Sequence, residues 1–217
     1  MKKYKQKSIS EVPCEVSGEM VKVENLINDV QVPNFADRLE TNEDLKEFIL
    51  NLLDSVLQHE VSYKGGYLNF WRDKECKSPK DEIEIHPYLC NTLDNYCKTK
   101  GVNLSREVKE ANGNVDIEFS YTNRDNRILK VCVEVKKAHH SSVKTAITTQ
   151  LPAYMKSAGT QSGIYLVVWF KNDSFKKPTQ HNSLNELQEA IEKNNCDKSN
   201  ISVKIINCCR DVSPSKI

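Results

Sequence analysis

The chain has 217 residues and a mass of 24.8 kDa, room for one good-sized domain or a domain with an extension. Apolar types make up 38% of it and charged types 28%, which argues against wholesale disorder. Lysine plus arginine is 31 and aspartate plus glutamate is 30, so the total of +1 indicates neither a globally basic nucleic-acid binder nor an acidic tail. The longest apolar run, Ile164 to Phe170, is far short of the roughly 20 residues of a membrane span. No apolar stretch follows the basic start, so a secretory leader is not expected.

In chain order, residues 1–40 give short apolar pieces punctuated by Pro13 and Pro33, read as an irregular or strand-containing segment. From Leu45 to Leu57 apolar residues recur every three or four positions, which predicts an amphipathic helix over about 42–59 with Thr41 as its N-cap. Tyr63 to Asp73 reads as a loop or hairpin. A second helix is expected from about Lys80 to Lys98, with Pro87 in its early turns and Gly101 as terminator. The period then changes to alternation: a strand over 115–121, a turn over 122–127 and a strand over 128–136. A helix capped by Ser141 or Ser142 runs to about Ser157. A buried strand covers 163–170, a helix 184–193 and a last strand 201–206.

The eight cysteines contain no C-x-x-C pair, which fits reduced structural thiols of a cytoplasmic protein; Cys90 and Cys97, seven apart, share one helical face. The division expected is an N-terminal extension over 1–60 and a main domain over 61–217.

Three charged residues interrupt strands that are otherwise apolar: Asp116, Glu134 and Lys136. Alternation puts Glu134 and Lys136 on one face. A turn centred near Arg124-Asp125 pairs residues whose numbers sum to about 250, so Asp116 lies opposite Glu134. An E-x-K at a solvent-facing edge is an ordinary ion pair. An aspartate at matching register on the next strand adds a second carboxylate about 5 Å away. Such a pair repels unless a cation joins it, and hard oxygen donors suit magnesium or manganese.

Together Gly113-Asn114-Val115-Asp116-Ile117, Val133-Glu134-Val135-Lys136 and Gln150-Leu151-Pro152-Ala153-Tyr154 resemble the PD-(D/E)XK nuclease superfamily. The resemblance covers about residues 78–207. It implies an α/β restriction-endonuclease-like fold, a three-layer α/β/α sandwich with a mixed central sheet, here with an N-terminal helical extension. It further implies a metal-dependent nuclease in which Asp116 and Glu134, with Val135 between Glu134 and Lys136, bind Mg2+ or Mn2+. Lys136 would serve the attacking water. A helix carboxylate is supplied by Glu82, or second by Glu84, and Gln150 and Tyr154 match the family's following helix. The family's proline before the aspartate is Val115 here.

Lys130 to Gln180 holds eight lysines and two acids, an excess of six positive charges in a nearly neutral chain. Lys137, His139, His140 and Lys144 are accordingly expected, with Tyr154, to touch nucleic acid. The resemblance places such chains in restriction, repair or phage defence, as a dimer or beside a partner bound through the N-terminal helix; the nucleic acid expected is DNA before RNA. The alternative is an inactive module of the same fold that binds nucleic acid or a protein.

Overall fold

The computed structural model describes residues 14–16, 19–21, 39–110 and 113–209. The chain divides into two compact units, Met1–Phe35 and Ala36–Ile217. In the first, β1 (Cys14–Val16) pairs antiparallel with β2 (Glu19–Val21).

The second unit begins with α1 (Asn42–Leu52). Thr41 caps it as expected: its hydroxyl accepts from the Asp44 N–H, and the Asp44 carboxylate accepts from the Thr41 N–H at 2.8 Å. The helix continues through a π-helical stretch (Leu53–Gln58) into α2 (His59–Tyr63). Its apolar stripe, Leu45, Phe48, Ile49, Leu52 and Leu57, is buried at the centre of this unit. This corrects the expected division at residue 60. A helix that buries a full apolar face in the main core belongs to that core, and the boundary lies between Phe35 and Ala36.

The segment expected as a loop or hairpin forms a 3-10 turn (Gly66–Phe70) and a bridge between Trp71 and Pro79. The Trp71 indole donates to the Cys208 carbonyl at 2.9 Å and anchors it. α3 (Glu82–Thr99) carries Pro87 in its interior. Five strands follow: β3 (Asn103–Glu110), β4 (Gly113–Thr122), β5 (Ile128–Lys137), β6 (Gly163–Trp169) and β7 (Ile201–Asn207). They form one mixed sheet in that order, antiparallel from β3 to β5 and parallel from β5 to β7. β3 is not among the elements expected from the sequence, because Asn103-Leu-Ser-Arg-Glu-Val-Lys-Glu110 offers only two apolar residues. It is an exposed edge strand and needs no more.

α4 (Ala146–Ala158) and α5 (Leu184–Asn194) cover one face of the sheet, burying Ile147, Leu151, Leu187 and Ile191 against Cys132, Tyr165 and Val167. α1 and α3 pack from the N-terminal half of the unit, giving an α/β fold with helices flanking a mixed sheet. Cys90 and Cys97 lie together on the inner side of α3, and burial raises both thiols to about 12. Among the described residues no helix is long and apolar enough to cross a membrane.

Candidate active site

The β4–β5 register pairs Ile117 with Val133 and runs regularly to Thr122 with Ile128, each sum being the expected 250. The paired ladder stops one residue before Asp116. On the other side β3 pairs with β4 at Arg106–Ile117 and again at Val108–Val115, skipping Glu107 and Asp116. β4 is thus unpaired at Asp116 toward both neighbours. Glu107, opposite the gap, holds φ +49°, the left-handed region that a glutamate rarely adopts.

This step also changes which face the strand presents. Glu118 pairs with Cys132, so strict alternation would put Val115 on the opposite face from Cys132; instead the two share one core cluster. The lost ladder is replaced by side chains. Asp116 Oδ2 accepts the Val135 N–H at 2.8 Å, fixing the carboxylate against the strand that bears Glu134 and Lys136.

Glu134 and Lys136 are almost fully buried, 1% and 6% exposed, and their side chains bond at 2.5 Å. Glu134 Oε2 is buried without a hydrogen-bond partner. Burial, then the Asp116 charge, raises the Glu134 carboxyl to about 7, although Lys136 opposes this. Burial likewise lifts Asp116 above the carboxylate range, against His86, the Val135 N–H and Lys136. For Lys136 burial pulls downward but is outweighed by Glu134, Glu82 and Asp116, so the amine stays protonated.

α3 brings Glu82 to the same place. Its Oε1 accepts the Lys137 N–H at 2.8 Å and its Oε2 lies 3.6 Å from Lys136 Nζ. Glu84 points elsewhere: it closes the capping box with Asp81 and pairs with Arg72, which also holds Asp81 at 2.9 Å. Of the two glutamates, Glu82 is the one at the site. One turn on, His86 lies 4.0 Å from Asp116 Oδ1, is 2% exposed and has neither ring nitrogen hydrogen-bonded. It is not among the site residues expected from the sequence, although its spacing of four from Glu82 puts both on one helical face. Glu107 is likewise missing from that expectation, with the strand that carries it.

These elements wall a cleft of about 400 Å³ lined by Asp81, Glu82, Ile83, His86, Glu107, Asp116, Lys137 and His140. On α4, Gln150 Oε1 is buried without a partner. One turn further, burial and then the charges of Glu134 and Asp116 raise the Tyr154 phenol, so Tyr154 is electrostatically part of the site.

The expected phosphate contacts separate. The Lys137 amine bonds Asp81 at 2.8 Å, and the exposed His140 accepts from the Ser142 N–H through Nδ1. His139 instead packs edge-on against Phe170 and Phe175. Burial, then the charges of Lys137 and Lys177, lowers it to about 4, so at neutral pH it offers a phosphate no positive charge. Lys144 lies outside the cleft lining, near His181.

For a metal, the donors present are the Asp116 and Glu134 carboxylates, with Glu82 and the imidazole of His86 beside them. The orphaned Glu134 oxygen, and the rise of both strand carboxyls, show a site short of positive charge. That fits a hard divalent ion that keeps part of its water shell. Among the described residues no group of three histidine, cysteine, aspartate or glutamate side chains is placed so that it could hold a metal ion.

Fold and site define an α/β domain with a carboxylate-rich cleft at a break in a mixed sheet. The chain belongs to the family described as Domain of unknown function (DUF8371), whose model matches residues 45–172. No curated protein matches it in sequence. Among solved structures it is similar to that titled "The structure of Pyrococcus Furiosus SfsA in complex with Ca2+". The identity is 10%, the TM-score 0.32, and 56% of this chain is covered. The match spans about half of that protein, 55% of its chain.

Proposed function

We propose that the cleft hydrolyses phosphodiester bonds in nucleic acid, DNA before RNA, with a bound Mg2+ or Mn2+. The observation that carries this reading is the break in β4. It gathers Asp116, Glu134, Lys136 and Glu82 from three elements, with two carboxyls raised by burial and one carboxylate oxygen left unsatisfied. A purely structural ion cluster would satisfy that oxygen and would not break the sheet on both sides.

Asp116 and Glu134 would hold the ion, with the Val135 carbonyl between them and Glu82 or His86 from α3. When bound, it would neutralise the carboxylates and polarise a phosphate oxygen and a water. Lys136 is protonated, so it acts as a donor: it orients the attacking water and stabilises charge developing on the phosphate. It is not the base. The water oxygen forms a bond to phosphorus as one P–O ester bond breaks, and the proton the water loses passes through solvent to the alcohol released. Glu82, 3.6 Å from Lys136, is a second carboxylate beside the ammonium, after Glu134 at 2.5 Å. Membership of restriction or phage-defence systems belongs to the same proposal and rests on the resemblance in sequence.

The test is incubation of the full chain with plasmid, linear and single-stranded DNA, and with RNA, in Mg2+, Mn2+ or chelator. Metal-dependent cleavage lost in Asp116→Asn and in Lys136→Met is expected. Cleavage that survives both substitutions refutes the site. The second reading, a module that binds without cutting, is favoured by the lack of a ready metal cage among the described residues. Metal-independent binding with no cleavage under any condition selects it.

A further inference from the structure

His86 stands apart from the other histidines. Among the described residues it is the one whose two ring nitrogens are both buried without a hydrogen bond; His139 and His181 each leave one so. Packing accounts for His139, whose ring meets Phe170 and Phe175 edge-on. His86 is in the wall of the cleft, 2% exposed, on the turn of α3 that follows Glu82. Buried polar atoms of native proteins are nearly all met by protein, water or an ion, so a ring with both nitrogens unmet beside a cleft calls for an occupant.

The atom nearest to it is a carboxylate oxygen that the fold leaves over. Asp116 Oδ2 accepts the Val135 N–H at 2.8 Å, while Asp116 Oδ1 lies 4.0 Å from His86 Nε2. That separation is too long for a hydrogen bond. Two donors held by one ion at about 2.1 Å stand at most about 4.2 Å apart, so an ion fits between them without either group moving far.

Glu82, the other α3 side chain at the site, is engaged at both oxygens by β5. Its Oε1 accepts the Lys137 N–H at 2.8 Å and its Oε2 pairs with Lys136 at 3.6 Å. The uncommitted donor that α3 brings to Asp116 is therefore the imidazole. Among the described residues no group of three donors is placed to hold an ion, so the pair is the share of the protein here, and water with a phosphate oxygen takes the other positions. One or two protein groups are the ordinary complement for a small divalent ion. This pair differs from two carboxylates in offering nitrogen beside oxygen. Mg2+ takes oxygen ligands, whereas imidazole suits first-row transition ions.

We propose that His86 is a nitrogen ligand to the ion of this cleft, opposite Asp116 Oδ1, and that it makes the site select a first-row transition ion such as Mn2+ over Mg2+. The place of the ion rests on the reading above; cleavage of a phosphodiester is not needed for it.

Mn2+ itself is the probe, with the full chain. Pulsed electron paramagnetic resonance of the bound ion reads whether a nitrogen is coordinated, and the natural chain is expected to show one imidazole nitrogen. Calorimetric titrations with Mn2+ and with Mg2+ give the two affinities. In His86→Gln, its fold checked by circular dichroism, the nitrogen coupling should vanish and Mn2+ should bind about tenfold or more weakly, while Mg2+ binding changes by less than about threefold. Bound Mn2+ that shows no imidazole nitrogen in the natural chain overturns the inference, whether or not the variant folds. So does a coupling that survives in His86→Gln and is lost in His140→Gln, because the ligand is then the exposed histidine of the same cleft. Equal losses of Mn2+ and Mg2+ affinity overturn the selectivity. Mn2+ held through His86 with no cleavage of any nucleic acid sustains the inference and removes the nuclease reading. Metal-dependent cleavage without nitrogen coupling does the reverse.

Discussion

Glu134→Gln separates the cost of the site from its use. Without metal, Glu134 is raised from 4.5 to about 7 by burial, with the Asp116 charge adding to it, and the residue is only 1% exposed. A folded-state pKa above the unfolded value means a stabilising contribution present in full below pH 4.5. It is lost as pH rises to about 7. The displacement corresponds to roughly 3 kcal/mol of destabilisation above that pH. The glutamine removes the charge but also the 2.5 Å partner of Lys136, whose remaining carboxylate is Glu82 at 3.6 Å. A net gain of about 1–2 kcal/mol is therefore expected at pH 8 in chelator, falling to nothing near pH 4.5, where Glu134 is already protonated. Urea denaturation at both pH values measures it. Saturating Mg2+ should stabilise the natural chain at pH 8 and leave the variant unmoved. A variant less stable than the natural chain at pH 8, or a difference that does not change with pH, refutes the argument that Glu134 is a strained carboxylate awaiting a cation.

Other outcomes follow from the same geometry. Asp116→Asn keeps a side-chain oxygen to accept the Val135 N–H, so the fold should survive while metal-dependent cleavage falls by about 10²–10⁴; loss of the circular dichroism spectrum would assign Asp116 a structural role instead. Lys136→Met, which keeps length without charge, should lower kcat by a similar factor with little change in strand affinity, checked by single-turnover rates against anisotropy. Gly66→Ala should cost about 1–3 kcal/mol in urea denaturation, because a Cβ there would meet the Tyr88 hydroxyl and lie 2.7 Å from the Glu60 carbonyl oxygen of α2. His139→Phe should leave the salt slope of DNA binding unchanged and hold or raise stability, since the ring already packs between two phenylalanines with Nδ1 unsatisfied.

What the sequence discloses here is what depends on local pattern. The α1 stripe, its Thr41 cap, the β4–β5 hairpin and its register of 250 are all legible, because turn chemistry and alternation act over a few residues. β3 is not legible, since an exposed edge strand needs little apolar surface, and Glu107 is hidden with it. The place of α1 in the core is not legible either, because amphipathicity shows that a helix has an apolar face and not what that face covers. The resemblance ranks Glu82 before Glu84; the structural reason is that Arg72 and the capping box claim Glu84. His139 illustrates the limit in the other direction. Its position after the strand suggests a phosphate contact, and only the approach of Phe170 and Phe175 from other elements makes it a neutral, packed ring.

The double gap at Asp116 ties fold to chemistry. A β4 paired throughout would spend the backbone groups around Asp116 on β3 and β5 and keep strict alternation through Val115. By ending the β4–β5 ladder at Ile117–Val133, the chain frees the Val135 N–H, which then fixes the Asp116 carboxylate against the strand that bears Glu134. It also turns Glu107 into a left-handed conformation that costs about 1–3 kcal/mol for a residue that is not glycine. Both departures sit at one point of the sheet, under the N-terminal turns of α3, where Glu82 and His86 arrive. If the strain only terminated a strand, Glu107→Gly would stabilise the protein and change nothing else. If it serves the site, the same substitution relieves strain and also removes a carboxylate from the cleft wall. The glycine variant should then gain about 1 kcal/mol in urea and bind duplex DNA more tightly. A stability gain with an unchanged duplex affinity would reduce Glu107 to a feature of the strand end.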